Sequence, residues 1–256
     1  MTDETVSRRT FSPKHLALGV AVLGGLVLLC WVVFSRLHYH WNWSGIWEYR
    51  KLFISGWLLT VAISVGALIV SLALGGVLAA GSLSLNSIFR WLARGYIELV
   101  RGTPLLVQLL IGYYVVANAL ALNNHFIIGV LLLSSFAGAY LAEILRGGIE
   151  SVAASQVEAA RAVGFTPAQT YRHVVLPQAI RRVLPAMAGQ FVSLIKDSSL
   201  LSVIGLEELT QQAKIANSAT YSSLEGFVPL AIGYLILTLP LSWVASQLER
   251  KFRYED

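Results

Sequence analysis

Charge is scarce in this chain: Asp, Glu, Lys and Arg make up 13% of its 256 residues, while hydrophobic residues make up 56%. A soluble domain carries roughly 25% charged residues, so the composition excludes that class and points to a membrane protein. Cysteine is almost missing as well. The lone Cys30 rules out an intrachain disulfide framework, and no Cys/His cluster with metal-ligand spacing occurs, so no metal site is expected. G-x-x-x-x-G-K-[ST], the loop that cradles nucleotide phosphates, is absent, as are H-E-x-x-H and G-x-S-x-G. His125 and His173 stand without the company a catalytic group needs. An intramembrane hydrolase is therefore a poor fit, and neither a catalytic residue nor a cofactor is expected in this chain. Net charge is +5, yet the basic residues are scattered over loop ends instead of forming one stripe, which favours lipid headgroups over nucleic acid as their partner. Internal repeats and low-complexity segments are lacking too.

Long apolar runs are what the sequence has in plenty. A helix crossing a hydrocarbon core about 30 Å thick needs about 20 mostly apolar residues. Six stretches qualify: Leu16 to Phe34, Ser55 to Gly81, Pro104 to Leu122, Phe126 to Ala142, Leu184 to Leu206 and Gly226 to Leu248. Only the fifth is interrupted by charge, at Lys196 and Asp197. The first run exceeds the apolar core of about 7 to 15 residues found in a secretory signal, and Ser35-Arg36-Leu37-His38 offers no small-x-small cleavage site. It is expected to remain as an anchor. Lys and Arg are retained on the cytoplasmic side. Placing the N-terminus inside leaves only Arg36, Arg50, Lys51 and Lys214 outside and Lys196 in the membrane; all the others, from Arg8, Arg9 and Lys14 to Arg250, Lys251 and Arg253, lie inside. Trp31, Trp41, Trp43, Trp47 and Trp57 gather at the outer ends of the first two spans, where indole rings favour the interface. The expected organisation is a cytoplasmic tail over 1–15, an anchor helix over 16–34, a bundle over 55–250 with a long cytoplasmic loop over 146–183, and a cytoplasmic tail over 251–256.

That loop is unusually polar and full of helix signals. Ser155-Gln156-Val157-Glu158 has the form of a capping box, a hydroxyl to take an orphan N–H and a carboxylate three residues on to reach back. Ala159 to Val163 favour helix, and Gly164 supplies a left-handed stop. Thr166-Pro167-Ala168-Gln169 opens a second helix with proline at its first position, which Pro177 is expected to break or kink near Leu176. Since a mere connector needs about two to eight residues, two readings stand: an interfacial hairpin lying on headgroups, or a docking element for a cytoplasmic partner.

Residue identities separate them. Glu158-Ala159-Ala160, Gly164 six residues after the Glu, and Val174-x-Leu176-Pro177 resemble the EAA loop, EAA-x3-G-x9-I-x-LP, of permease subunits in binding-protein-dependent ABC importers, with Val174 in place of the usual Ile. ELVRGTPLLVQLLIGYY (98–114), AEILRGGIESV (142–152) and SLIKDSSLLSVIGLEELT (193–210) are similar to the polar amino acid uptake branch of that family. The resemblance covers roughly residues 50 to 253. It implies an all-α polytopic membrane helix bundle, the type I ABC importer (MetI-like) permease core of five spans, here preceded by one extra N-terminal span. It also implies that Glu158, Ala159, Ala160, Gly164, Leu176 and Pro177 couple the chain to a cytoplasmic ATPase dimer, which binds ATP and Mg. A helix pair held rigid transmits a push that a floppy loop would absorb. Ala159 and Ala160 would allow close approach, and Glu158 would cap its own helix before bonding across the contact. Further implied partners are a second permease, identical or homologous, and a periplasmic or lipid-anchored amino-acid-binding protein, with residence in the bacterial cytoplasmic (inner) membrane.

Charges inside a span cost at least about 2.5 to 3.5 kcal/mol each on insertion scales and so mark a pathway or a partner. Lys196 and Asp197 meet that test, with Ser198 and Ser199 beside them to bond a solute or cap a broken helix. Adjacent helical residues diverge by about 100°, so each is expected to have its own partner; together they either receive the carboxylate and ammonium of an amino acid or hold neighbouring helices. Arg101-Gly102-Thr103-Pro104 is a second interruption, in which Thr103 caps, Pro104 starts the third span and Gly102 loosens the turn. Glu98 and Arg101 share a face and are expected to pair, and Glu143 is a further pathway candidate. The expected function is ATP-driven uptake of a polar amino acid by alternating access. An ion-conducting channel lined by Lys196 and Asp197, or a purely structural scaffold, are the rival readings.

Overall fold

The computed structural model describes residues 13–36 and 41–252. Expectations placed on Arg8 and Arg9, on Leu37-His38 and on Arg253 lie outside the described residues. Among these residues every regular element is helical. The chain divides near Asn42 into two units. The first contains α1 (Pro13–Arg36), which takes in the anchor expected over 16–34 and exposes Val22, Val27, Leu28 and Trp31.

The second unit begins with a short helix absent from the sequence reading, α2 (Trp43–Glu48), capped by Asn42, whose Oδ1 accepts the Gly45 N–H at 3.3 Å. Next come α3 (Arg50–Ser82), α4 (Ser87–Arg101), α5 (Leu105–Ile111) with a π turn over Gly112–Ala117, and α6 (His125–Glu150). They are followed by α7 (Ala154–Ala162), α8 (Pro167–Thr170) with a π turn over Tyr171–Val175, α9 (Leu176–Asp197) with a 3-10 turn over Ser198–Ile204, α10 (Leu209–Thr220) and α11 (Ser223–Phe252). By length and composition three of these helices can cross a membrane, Arg50–Ser82, His125–Glu150 and Leu224–Phe252; α4 and the α5 stretch count as a fourth if the pair, bent by 107°, is one span.

α3 and α6 form the spine. Their backbones approach closely because glycine faces side chain: a Cβ on Gly75 would sit 2.9 Å from Leu141 Cβ, and one on Gly138 would sit 2.9 Å from Leu74 Cδ2. In a bilayer, where apolar surface alone gives helices no reason to associate, such close packing is the main source of cohesion. Ile63 and Ala67 of α3, Leu109 of α5, Leu133 of α6 and Leu201 of the 3-10 turn close the core between them.

Two runs differ from expectation. The third, expected over Pro104 to Leu122, is helical only to Asn118–Ala119 and ends in a turn where Ala121 takes φ 52° and the Leu122 N–H reaches Ala117 O at 2.9 Å. The fifth, expected over Leu184 to Leu206, begins earlier, at Leu176, and leaves α-helical geometry after Asp197, closing at Gly205 with φ +76°. Hydropathy locates apolar residues and is blind to such breaks.

Candidate coupling corner and polar interior

α7 begins at Ala154 behind Ala153 and has no side-chain cap. The capping box expected at Ser155–Glu158 is therefore absent. Ser155 falls inside the first turn, and Gln156 is drawn sideways, its Oε1 accepting the Gln178 amide of α9. Glu158 is left exposed, with no hydrogen bond or ion pair to its carboxylate among the described residues.

The end of α7 matches the expectation. Gly164 has φ +88°, its N–H reaches Arg161 O at 3.0 Å, and the Phe165 N–H reaches Ala160 O at 3.0 Å, the paired bonds of a Schellman stop. Two residues on, Thr166 Oγ1 accepts the Gln169 N–H at 3.3 Å and Gln169 Oε1 accepts the Thr166 N–H at 2.9 Å, so this capping box is complete. Pro177 does not break the helix it opens. In the π turn the Leu176 N–H bonds Tyr171 O, five residues back, and the wider turn accommodates a ring that would otherwise press on a carbonyl. The segment is thus one short helix and the leading end of a long one, where the sequence predicted two short helices. Ala160 is buried, so its small side chain serves packing within the chain and only Ala159 is free for close approach. Val163 is 75% exposed, and Phe165, Tyr171 and Leu176 are also exposed, giving the corner an apolar rim beside Glu158, with Pro177 exposed next to Leu176.

At the α4–α5 bend, Pro104 is the N-cap and no side chain caps α5. Thr103 works in the other direction: its Oγ1 donates to Leu99 O at 3.0 Å. Gln108, unnoticed in the sequence, places Nε2 2.7 Å from Val100 O, 3.1 Å from Thr103 O and 2.7 Å from Thr103 Oγ1. It thereby covers carbonyls that the end of α4 leaves without helical partners. Its one signal was being the polar residue in an apolar run. Gly102 does not loosen the turn, having ordinary helical φ of −83°; glycine is needed because a Cβ would meet Glu98 O at 2.9 Å.

The expected Glu98–Arg101 pair is not formed. Arg101 reaches instead to Glu143 of α6 at 3.5 Å, and Glu143 also binds Arg146, which binds Glu150. Competition decides the outcome, since Glu143 offers Arg101 a carboxylate already fixed by Arg146. A cavity of about 220 Å³ lies among Ser82, Arg94, Glu98, Arg101, Glu143 and Arg146.

Lys196 is exposed and Asp197 half-buried at the end of α9. Neither has a hydrogen bond or ion pair among the described residues, so the separate partners expected for them are not found there. Ser198 is fully buried and donates to Ile195 O at 2.7 Å, capping the helix; Ser199 is half-buried. Nearby is a polar network that sequence reading missed. Glu208, fully buried, caps α10 through the Thr210 and Gln211 N–H groups at 2.8 and 3.0 Å and accepts Tyr234 OH at 2.9 Å. Lys214 Nζ donates to Ser202 Oγ at 2.9 Å. A carboxylate directly before the helix-compatible run LTQQAKIANSAT was the available signal.

Residues 71–254 match the family described as binding-protein-dependent transport system inner membrane component. The chain is 35% identical over 210 residues to the probable glutamine ABC transporter permease protein GlnM of Bacillus subtilis (strain 168), covering 82% of this chain and 97% of that protein. It is 37% identical over 220 residues to the glutamine transport system permease protein GlnP of Escherichia coli (strain K12), covering 83% and 98%. The solved structure of an amino acid ABC transporter with histidines matches with a TM-score of 0.77 at 38% identity, over 83% of this chain and 100% of that one. An inward-facing MetNI methionine ABC transporter shares the fold, with a TM-score of 0.64 at 18% identity, over 80% and 97%. The all-α bundle is the MetI-like permease fold. Most of α3 to α11, including the glycine corner and the polar interior, falls within the matched residues, and the chain belongs to the family of inner membrane components of binding-protein-dependent transport systems.

Proposed function

We propose that this chain is the permease subunit of an ATP-driven importer that carries a polar amino acid across the bacterial cytoplasmic membrane by alternating access. The observation that carries this reading is the corner at Gly164: a Schellman stop and a complete capping box lock α7 against the α8–α9 helix, while Glu158 and the apolar rim of Val163 and Phe165 face outward. A stiff element with a free carboxylate and exposed apolar side chains is suited to a protein partner, and a π turn joins it directly to α9, which ends at Lys196 and Asp197. Motion entering at the corner thus has a continuous helical route to Lys196 and Asp197. In this assembly a partner ATPase dimer holds ATP and Mg, a second permease completes the pathway, and an amino-acid-binding protein delivers solute from outside. The relatives named as glutamine permeases support a polar amino acid as cargo. An ion channel would leave the corner without a use.

ATP hydrolysis by the reconstituted assembly tests this. Binding protein loaded with amino acid is expected to stimulate hydrolysis severalfold over empty binding protein; equal rates, or solute flux without ATP, would overturn the reading.

A further inference from the structure

We infer that α4 seats the headgroup of an acidic phospholipid in the leaflet along which it lies. One face of α4 is inside the protein, with Ala93, Ile97 and Val100 buried. The rest is open: Ile88, Phe89, Trp91, Leu92 and Leu99 are 54 to 74% exposed. Charge runs between these apolar residues in a stripe, Arg90, Arg94 and Glu98, at helical spacing of four. The helix axis turns 107° into the following apolar stretch, so where α5 enters the bilayer α4 runs along its surface. An amphipathic helix with basic residues beside exposed aromatic ones is the form that lies in the headgroup layer.

A shallow groove of about 630 Å³ follows the stripe, lined by Ser87, Arg90, Trp91, Arg94, Gly95 and Glu98. Nothing lies within 4 Å of where a Gly95 Cβ would be, so the middle of the groove is open. Arg101 and Arg146 are held by Glu143, but Arg90 and Arg94 have no ion pair or hydrogen bond among the described residues. Two guanidiniums one turn apart match the oxygens of a phosphate in planar, forked geometry. Glu98 at the far end repels an anion and confines it to the Arg90–Arg94 half, where the Ser87 hydroxyl also lies. The apolar flanks decide the source: a free phosphate has no use for Trp91 and Leu92, whereas the glycerol and acyl chains of a lipid cover them.

The test uses the protein as purified from membranes with its accompanying subunits, placed in nanodiscs of phosphatidylcholine with stepped amounts of phosphatidylglycerol. Retained lipid is counted by native mass spectrometry. Each arginine near an anionic surface contributes about fivefold, so R90Q/R94Q is expected to lose about tenfold or more of the preference for phosphatidylglycerol, while R250Q/K251Q, outside the groove, loses clearly less. Glu98→Gln, which removes the repelling carboxylate, should raise the preference and covers the case in which the double variant does not assemble. Unchanged preference in either α4 variant overturns the proposal. So does displacement of the lipid by millimolar inorganic phosphate, which would make the site a free-anion site, or cross-linking of a Trp91→Cys variant to another subunit, which would make it a protein interface.

Discussion

Gln108 and Glu143 show how differently a neutral and a charged side chain stabilise the same bend. Gln108 covers Val100 O and Thr103 O, and removing a partner from polar backbone costs about 1 to 3 kcal/mol. Gln108→Leu is therefore expected to lower the thermal unfolding midpoint of the detergent-solubilised protein by several degrees; an unchanged midpoint would show that water replaces the amide freely. Glu143 joins Arg101 and Arg146, yet its side chain is 30% exposed and that of Arg101 40%. Screened pairs of this kind contribute roughly 0 to 1 kcal/mol. Glu143→Gln should leave the midpoint nearly unmoved while altering coupled uptake, because what it releases is the tie between α4 and α6 around the inner cavity. A large fall in the midpoint would contradict that division of roles.

Among elements, the corner of α7 and α8 is the clearest case of geometry written locally. Gly164 at φ +88° has nothing within 4 Å of a would-be Cβ, so the Cβ of Gly164→Val meets no clash and the cost to be expected there is backbone strain, about 1 to 2 kcal/mol for a residue held in left-handed geometry. The expected outcome is normal membrane insertion with loss of ATPase association or of stimulation by loaded binding protein, and Gly164→Asn, which tolerates that conformation, should retain most of both. Full coupling in the valine variant would sink the account of the corner. The glycine stop and the box at Thr166 were legible because their partners lie within a few residues. The box at Ser155 does not form because the helix starts one residue earlier, at Ala154 behind Ala153, which puts Ser155 inside the first turn, and the local pattern fits either start. Pro177 was misread because the π turn that accommodates it leaves no composition signal. Glu208 carried a local signal for its capping of α10, whereas its bond to Tyr234, 26 residues on, has none.

For the whole molecule, hydropathy marked where the apolar helices lie and was blind to how they end: the third run closes in a turn at Ala121, the fifth unwinds after Asp197, and α2 and α10 are too short or too polar to register. Sidedness rests on a different physical signal, the retention of Lys and Arg at the cytoplasmic face. Arg90, Arg94 and Arg101 lie on α4 after the α3–α4 turn, and Arg161 and Arg172 flank the corner at Gly164, whereas Lys214 is the single basic residue of α10. The turn carrying Leu85, 96% exposed, and the exposed Ser218 of α10 should then lie on opposite sides. Because the chain has one cysteine, a Cys30→Ser background makes this directly measurable. In intact cells a membrane-impermeant maleimide is expected to label Ser218→Cys and to spare Leu85→Cys, and in inside-out vesicles the pattern should reverse. Labelling of both sites from one side would mean that the stretch from α5 to α9 re-enters where it should cross, and the route proposed from the corner to Lys196 and Asp197 could not connect two compartments.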